Sequence, residues 1–125
     1  MILGIGTDLA NIERIQGTLD RFGDRFRNRV FTEVEQRKAE RRKDVAGTYA
    51  KRWAAKEAAA KALGTGIAAG ISFQHIEINS LDSGQPILLL TEKALLVAQE
   101  KGATTWHVSL SDETLYATAF VVLSC

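Results

Sequence analysis

Apolar and polar residues follow two periodicities along this chain, a helical one and an alternating one typical of strands. The helical periodicity dominates the first half of the chain. The chain opens with an apolar, β-branched stretch, residues 2–9, which predicts a strand. Gly4 and Gly6 in this strand would allow another backbone to approach closely. Asn11 is a good N-cap, and apolar residues at helical spacing over 12–19 predict the helix that it begins.

Helical patterns continue through the middle of the chain. Apolar residues at helical spacing over 22–31 predict a further helical stretch, and residues 32–35 have the sequence of a capping box that begins a charged helix. The segment 45–63 is rich in Ala and Lys, which is the strongest helix signal in the chain. Gly64 is expected to end this long helix as a C-cap.

The second half of the chain is dominated by strand patterns with turn residues between them. We expect a strand over 71–78 that loses register near His75, then a turn at 82–85 and a short strand over 86–90. A helix from Thr91 to Lys101, ended by Gly102, should follow. The last two strands are expected over 106–110 and 115–123, joined at 111–114. The pattern predicts one α+β domain, residues 1–125, without repeats, linkers or low-complexity segments.

Composition narrows the class of protein. The chain has 125 residues, 46% of them hydrophobic and 25% charged, which is typical of a globular domain. A domain of this size buries only about two thirds of its unfolded surface, so an oligomer would add stability. One cysteine excludes an intramolecular disulfide, and no apolar run approaches the ~20 residues of a membrane span. The first residues lack the basic start of a signal peptide, so the expected compartment is the cytoplasm.

The net charge of +1 conceals an uneven distribution. Residues 21–44 contain nine basic and five acidic residues, a net charge of +4, and the rest of the chain carries −3. This basic segment is either a face that binds an anionic partner or a solvated helical surface with pairs such as Glu33 and Arg37. A small nucleic-acid-binding module is one alternative, although the overall charge and the lack of aromatic residues among the bases after Phe31 argue against it.

Two carboxylates are the first candidates for chemistry. Asp8 ends an apolar strand, where it is expected to bind a cation or to cap the following helix. Glu57 shares a helical stripe with Tyr49, Trp53 and Lys61, and its alternative role is a simple ion pair with Lys61. Asp8 and Glu57 together form a typical ligand pair for Mg²⁺ on a substrate phosphate, and Lys61 could contact that phosphate. Two histidines and one cysteine offer no comparable zinc site.

Two further segments have both a structural and a functional interpretation. The glycines of Gly64-Thr65-Gly66 follow a helix and do not form a P-loop, so a ligand would have to be reached by the loop's own N–H groups. Alternation along the strand 106–111 places His107 and Ser109 on a polar face, which is either solvent-facing or a binding wall.

The combination of motifs resembles holo-[acyl-carrier-protein] synthase, a family of 4′-phosphopantetheinyl transferases. The segments Ile5-Gly6-Thr7-Asp8 and Asn11-Ile12-Glu13-Arg14-Ile15 are similar to its N-terminal signature, and residues 50–67 match its W/F-x-x-K-E-A-x-x-K-A-x-G-T-G motif. Later signatures are matched by Gly84-Gln85-Pro86, by residues 107–111 and by Tyr116-Ala117. The resemblance covers essentially the whole chain and implies the family's fold, an antiparallel sheet wrapped around a long central helix.

The resemblance implies an enzyme that moves the phosphopantetheine arm of coenzyme A to a serine of apo acyl carrier protein, releasing adenosine 3′,5′-bisphosphate for fatty acid biosynthesis. Asp8 and Glu57 would bind Mg²⁺, Lys61 would contact the pyrophosphate, and Glu57 or a metal-held water would accept the serine proton. The residues expected to bind coenzyme A are Arg52, Lys61, Gly64, Thr65, Gly66, Gln85, Pro86, His107 and Ser109. A coenzyme A-binding scaffold without turnover is the other alternative.

The resemblance also implies a homotrimer with each site between neighbouring subunits, and no nucleic-acid or membrane partner. Because acyl carrier proteins are acidic, Arg14, Arg21 and Arg25 are expected to form their docking face. Some members of the family carry a His after the Ser-Leu-Ser stretch, where this chain has Asp112. We expect Asp112 to belong to a hairpin turn.

Overall fold

The computed structural model describes residues 1–125. Five strands and five α-helices follow one another along the chain, with one short 3₁₀ turn at Phe73–His75. They are β1 (Ile2–Asn11), α1 (Ile12–Phe22), α2 (Asp24–Val30), α3 (Glu33–Glu40), α4 (Val45–Leu63), β2 (Ile76–Ser80), β3 (Pro86–Leu90), α5 (Glu92–Glu100), β4 (Thr105–Asp112) and β5 (Tyr116–Ser124). The predicted α+β class and the predicted long helix are confirmed.

Helix α4 is the centre of the fold and packs on a three-stranded antiparallel sheet with the order β1-β5-β4. Its many alanines let β1 approach closely, and the two glycines of β1 make that approach feasible. A Cβ on Gly4 would lie 2.2 Å from the carbonyl oxygen of Ala62, and one on Gly6 would lie 1.9 Å from that of Ala58. The close backbone approach predicted for these glycines is therefore confirmed.

The inward face of the sheet and the alanine-rich helix form the core. Ala117, Ala119, Val121 and Leu123 of β5 are buried against α4. A second antiparallel sheet, the hairpin β2–β3, packs against the same helix through Ile76 and Ile78. No helix is both long and apolar enough to cross a membrane.

Short-range capping determines where the first helices begin. The Asn11 side chain accepts a hydrogen bond from the Arg14 N–H, and the capping box of Thr32 and Glu35 is formed. The apolar spacing over 22–31 predicts one stretch, but the chain breaks at Gly23, whose φ of 52° lies in the left-handed region. Residues 12–30 thus form two helices separated by a single glycine.

Two boundaries and one helix cap differ from the sequence-based prediction. The strand predicted over 71–78 begins only at Ile76, because the Ser72 hydroxyl caps the 3₁₀ turn that precedes it. The Thr91 side chain does not cap α5, and its hydroxyl contacts the carbonyl of His75. Asp112 was expected in a hairpin turn but is paired with Ala117 at the end of β4, so the turn comes after it.

Candidate active site

Asp8 and Lys61 meet where β1 passes the C-terminal half of α4. Lys61 Nζ lies 3.0 Å from Asp8 Oδ1 and donates a second hydrogen bond to the carbonyl oxygen of Thr7 at 2.9 Å. Asp8 does not cap α1, since Asn11 does so. The alternative helix pair between Glu57 and Lys61 is also absent, because Lys61 forms its ion pair with the strand instead.

Glu57 is half-buried one turn before Lys61 on α4. Burial raises the pKa of Glu57 above its ordinary value, the Asp8 carboxylate raises it further, and Lys61 lowers it. The two carboxylates are thus close enough to repel each other. The predicted grouping of Asp8, Glu57 and Lys61 is present in the fold.

The donor set at this point suits a hard divalent cation. A cation between the two carboxylates would relieve the repulsion that the Asp8 carboxylate exerts on a charged Glu57. No group of three or more His, Cys, Asp or Glu side chains is arranged to hold a metal, and Asp8 and Glu57 are two neighbouring carboxylates. That number matches Mg²⁺, which keeps its waters and takes further oxygen ligands from a phosphate substrate.

A cleft of about 690 Å³ opens beside Glu57, between α1, α2 and α4. Its floor is apolar and aromatic, and Trp53 of α4 is part of it. Arg14, Arg25 and Arg29 line the same cleft. Two of the three predicted docking arginines are therefore brought together next to a catalytic candidate.

Arg21, the third predicted docking residue, does not line this cleft. Its guanidinium lies over the Phe22 ring, 5.1 Å from the ring centre. The side chain is exposed on the far part of α1. It can add positive charge to this end of the molecule but is not placed to contact a group that enters the cleft.

Arg52 occupies a different pocket. The residue is only 5% exposed, but Arg27 Nε, and no atom of Arg52, is the buried side-chain nitrogen without a hydrogen-bond partner. Burial lowers the pKa of Arg52, the nearby Glu35 carboxylate opposes that change, and Arg42 adds to it. The pocket has a volume of about 170 Å³ and is lined by Arg42, Lys51, Arg52, Ser80, Gly84, Pro86, Leu110 and Asp112.

The Arg52 pocket and the Asp8–Glu57 site lie on different faces of α4. Five residues separate Arg52 from Glu57, which is a rotation of about 140° around the helix axis. Pro86 lines the Arg52 pocket, and Gln85 is exposed beside it. The predicted ligand-binding residues therefore line two separate pockets of the chain.

The loop after α4 is a C-cap, as its structural interpretation predicts. Gly64 has a φ of 84°, and its N–H donates to the carbonyl of Lys61. The N–H groups of Thr65 and Gly66 both donate to the carbonyl of Ala60. All three N–H groups thus donate within the chain in this conformation, and the predicted contact of this loop with a ligand stays a prediction.

The alternation predicted for β4 is confirmed. Trp106, Val108 and Leu110 face the core, and His107 and Ser109 are exposed on the outer face of the sheet. On the same outer face, exposed apolar side chains come from the neighbouring strands, namely Ile5, Leu9 and Phe120. This outer face is thus a mixed surface with an apolar centre and an imidazole at one side.

Sequence reasoning missed a buried ion pair one residue before Glu57. Lys56 Nζ lies 2.7 Å from Glu35 Oε1, and both side chains are fully buried. Lys56 also donates to the carbonyls of Phe73 and Ile76. The only signal in the sequence is that Lys56 is four residues after Arg52 in a helix whose other buried positions are mostly alanine.

Comparisons with known proteins show what the whole chain is similar to. The family model described as 4′-phosphopantetheinyl transferase superfamily matches residues 4–121. The chain is 61% identical over 127 residues to holo-[acyl-carrier-protein] synthase of Roseobacter denitrificans, covering 98% of this chain and 95% of that protein. The crystal structure of the Neisseria meningitidis holo-[acyl-carrier-protein] synthase is 38% identical, with full coverage of both chains and a TM-score of 0.90. The Helicobacter pylori enzyme in complex with coenzyme A is 29% identical, covers 96% and 99% of the two chains and has a TM-score of 0.85.

Proposed function

Since the chain belongs to the 4′-phosphopantetheinyl transferase superfamily, we propose that its site transfers the 4′-phosphopantetheine arm of coenzyme A to a serine of apo acyl carrier protein. The observation that carries this proposal is the meeting of Asp8, Glu57 and Lys61 where β1 crosses α4. In the reaction, the serine oxygen forms a bond to the phosphorus that bears the pantetheine arm. The bond to the bridging oxygen breaks, and adenosine 3′,5′-bisphosphate leaves.

Asp8 and Glu57 are the residues that would hold Mg²⁺, together with oxygens of the substrate pyrophosphate. Bound there, the ion would neutralise the charge that develops on the transferring and leaving phosphates. Asp8 is fixed for this role by β1, which pairs with β5 so that Asp8 lies opposite Ala119. Glu57 is fixed by the rigid helix α4.

Lys61 and Glu57 supply the remaining charges. The Lys61 ammonium is half-exposed and needs only to rotate from Asp8 to reach an incoming pyrophosphate. As a mobile point charge it stabilises the leaving phosphate. The serine proton is accepted by Glu57 or by a water, and the raised pKa of Glu57 makes its carboxylate a better base than an exposed one.

The nucleotide end of coenzyme A is proposed to occupy the Arg52 pocket of one subunit while the pyrophosphate lies at Asp8 and Glu57 of its neighbour. Within one chain, the Arg52 pocket and the Asp8–Glu57 site face different sides of α4, which is the arrangement expected for a site shared between subunits. In the pocket, the Arg52 guanidinium suits a phosphate. Pro86, which lines the pocket, and its exposed neighbour Gln85 are proposed to contact the adenine. His107 and Ser109 complete the site from the outer face of the sheet, and Gly64, Thr65 and Gly66 line it by van der Waals contact.

A homotrimer is part of the same proposal. The exposed apolar side chains Ile5, Leu9 and Phe120 on the outer sheet face would be covered by a neighbouring copy, which adds the buried surface that a 125-residue chain lacks. The same contact would bring His107 and Ser109 to a subunit boundary. We further propose that the protein works in the cytoplasm, as its sequence predicts.

The acyl carrier protein is proposed to dock at the cleft beside Glu57. Arg14, Arg25 and Arg29 supply positive charge at its rim for an acidic partner, and the aromatic floor can take apolar side chains. Arg21 adds long-range attraction from outside the cleft. This arrangement delivers the acceptor serine to the carboxylate that lines the cleft.

Mass spectrometry of an apo acyl carrier protein tests the whole proposal. After incubation with this protein, coenzyme A and Mg²⁺, the carrier should gain the mass of one phosphopantetheine arm. Asp8→Asn should abolish the gain while the variant keeps its fold, and Glu113→Gln, which changes an exposed acid away from the site, should not. Absence of any mass gain with the unchanged protein would overturn the proposed function, and full activity of Asp8→Asn would overturn the metal site.

A further inference from the structure

We propose that Arg27, Glu40 and Tyr49 are positioning residues for the acyl carrier protein: they hold α2 from the side opposite the cleft beside Glu57, so that the arginines of α2 line that cleft. This inference rests on the proposed function, because it assigns a role to side chains that set the geometry of the docking site. None of the three residues lines the cleft, so each would act through α2 and not by touching the partner.

Helix α2 carries its arginines on two opposite faces. Arg25 and Arg29 are one turn apart, and both line the cleft. Arg27 is two residues from each of them, a rotation of about 200° around the helix axis, so its side chain leaves from the opposite face. An attachment at Arg27 therefore fixes the direction in which Arg25 and Arg29 point.

Helix α2 needs such an attachment because little within it determines its position. It has seven residues, and no side chain caps its first turn. This length is well below the ~12–15 residues at which an isolated helix becomes even marginally stable in water. At its C-terminal end, the side-chain amides of Gln36 and Gln74 donate to main-chain carbonyls of residues 27, 28 and 31. The position of α2 is thus set by its contacts with other elements.

One carboxylate oxygen connects Arg27 to the two following helices. Arg27 Nε lies 3.3 Å from Glu40 Oε2 at the end of α3, in an ion pair without the angle of a hydrogen bond. The hydroxyl of Tyr49 in α4 donates to the same oxygen at 2.6 Å. Burial and the Glu40 carboxylate raise the pKa of Tyr49, so its hydroxyl remains a donor at neutral pH. Glu40 thereby joins α2 to the helix that carries Glu57.

The buried tyrosine is the fixed point of this connection. Tyr49 is fully buried, whereas the side chain of Glu40 is 49% exposed and the side chain of Arg27 is 26% exposed. A long, half-exposed carboxylate has several rotamers to choose from, and the hydrogen bond from Tyr49 selects the one that meets Arg27. Tyr49 therefore orients Glu40, and Glu40 orients Arg27.

Removing the charge of Glu40 distinguishes positioning from simple attraction. If the arginines of α2 act only by their charge, the loss of a nearby acid makes this surface more positive and should strengthen the binding of an acidic partner. If Glu40 positions α2, the same loss should weaken binding, because Arg27 is no longer attached. Tyr49→Phe gives a second test, since it changes no charge and keeps the aromatic ring that packs on Phe31.

Steady-state kinetics measures the KM for apo acyl carrier protein, and titration without coenzyme A measures its Kd. Glu40→Gln and Tyr49→Phe should each raise both constants about threefold to fivefold, the size expected for a partly exposed ion pair. The kcat and the KM for coenzyme A should stay unchanged. Glu33→Gln, which removes an equal charge from an exposed position of α3, should lower the two carrier constants slightly or leave them as they are.

Amide hydrogen exchange gives a readout that involves no carrier protein. The amides of α2, residues 24–30, should exchange faster in Glu40→Gln and in Tyr49→Phe than in the unchanged protein, and Glu33→Gln should not change them. Because Glu40 is half-exposed, Glu40→Gln keeps the test available even if Tyr49→Phe does not fold.

The outcomes separate this inference from the function on which it rests. If Glu40→Gln binds the carrier as Glu33→Gln does or more tightly, or if a folded Tyr49→Phe binds it normally, the positioning role is wrong, and transfer to the carrier still stands. A loss of kcat as large as the rise in carrier KM would also overturn it, because the effect would then be a general loss of structure. If the unchanged protein transfers no arm, the proposed function fails, and the carrier titration and the hydrogen exchange of α2 still decide whether these residues position the helix.

Discussion

The ammonium of Lys61 lies 3.0 Å from the Asp8 carboxylate and donates a hydrogen bond to the carbonyl of Thr7. This ion pair connects α4 to β1 at the site proposed for Mg²⁺. A divalent cation that binds Asp8 has to compete with this ammonium. Once displaced, Lys61 is free to contact the substrate pyrophosphate. The position of the Lys61 ammonium is therefore expected to depend on whether a cation is bound to Asp8.

Replacing Lys61 with Met should separate these two roles. We expect Lys61→Met to lower the rate of arm transfer by about 10²- to 10³-fold, the usual effect of losing one charge that stabilises a transition state. Affinity for Mn²⁺, used as a spectroscopic probe for Mg²⁺, should rise in the same variant, because the competing ammonium is gone. Electron paramagnetic resonance titration measures that affinity, and a weaker Mn²⁺ affinity would show that Lys61 supports the metal instead of competing with it.

Glu57 should make folding less favourable as the pH rises. Burial and Asp8 raise its pKa in the folded state above the unfolded value of about 4.3. Its contribution to stability is therefore fully present below the unfolded pKa and is lost as the pH rises through the folded pKa. With a chelator present, Glu57→Gln should be more stable than the unchanged protein at pH 7.5, and the difference should disappear near pH 4.

Urea unfolding at the two pH values measures this difference. Glu113→Gln is the matched control, because Glu113 is exposed in the turn after β4 and lies away from Asp8. A Glu57→Gln variant that is equally stable or less stable at pH 7.5 would contradict the electrostatic description of the site. The expected gain in stability together with a loss of transfer is the trade-off typical of active-site residues.

Local signals in the sequence predicted the elements better than the contacts between them. The capping box at Thr32 and the limits of α4 depend on neighbouring residues, and both are confirmed. The strand predicted over 71–78 was too long, because the hydroxyl of Ser72 stabilises a 3₁₀ turn that apolar spacing does not reveal. Periodicity predicts which face of an element a residue occupies. The hydrogen-bond partner of a hydroxyl or carboxylate depends on which elements pack beside it in the folded chain.

The site illustrates the same limit. Asp8, Glu57 and Lys61 were predicted to lie together, and they do, but the local i,i+4 pattern suggested a Glu57–Lys61 pair, whereas Lys61 binds Asp8. The pairing of Lys56 with Glu35 joins residues 21 positions apart on different helices, and neither local sequence indicates which partner the other residue has. Long-range ion pairs of this kind depend on the packing of the whole chain.

Removing only one partner of the buried Glu35–Lys56 pair should destabilise the fold strongly, because the other partner keeps a buried charge. Glu35 accepts hydrogen bonds from the N–H groups of Thr32 and Ile78 in addition to binding Lys56. Lys56→Met leaves that carboxylate buried without its cation and should cost about 3–5 kcal/mol of unfolding free energy. Urea denaturation of the variant measures the loss.

The double variant Glu35→Leu with Lys56→Met removes both charges and tests whether the pair itself stabilises the fold. We expect it to recover at least half of the loss, since apolar residues of similar volume commonly replace a buried ion pair with little cost. If the double variant is as unstable as Lys56→Met alone, the hydrogen bonds of Glu35 to the main chain account for the loss, and the ion pair does not.

The docking arginines should not be equivalent. Arg14 and Arg25 line the cleft beside Glu57, whereas Arg21 lies outside it against Phe22. Arg14→Glu and Arg25→Glu should each raise the KM for apo acyl carrier protein about tenfold or more, and Arg21→Glu should raise it about threefold or less. Steady-state kinetics at two salt concentrations measures this, and all three effects should shrink as salt screens the charges. An equal effect of the three reversals would place the carrier protein on the whole of α1 and not at the cleft.

Subunit mixing should reveal whether one site is shared by two chains. Glu57→Gln disables the carboxylate side, and Arg52→Gln disables the nucleotide pocket, so each variant alone should be inactive. If the sites lie between subunits of a trimer, every mixed trimer contains one boundary at which an intact carboxylate side faces an intact pocket, and an equal random mixture should regain about a quarter of the original transfer rate. The variants are mixed under mild denaturation, returned to native buffer and assayed.

Should Arg52→Gln fail to fold, His107→Ala replaces it, because His107 is exposed on the outer sheet face and its loss leaves the core untouched. Mixtures that remain inactive after subunit exchange would mean that Glu57 and Arg52 of the same chain serve one ligand, and the shared site would be wrong.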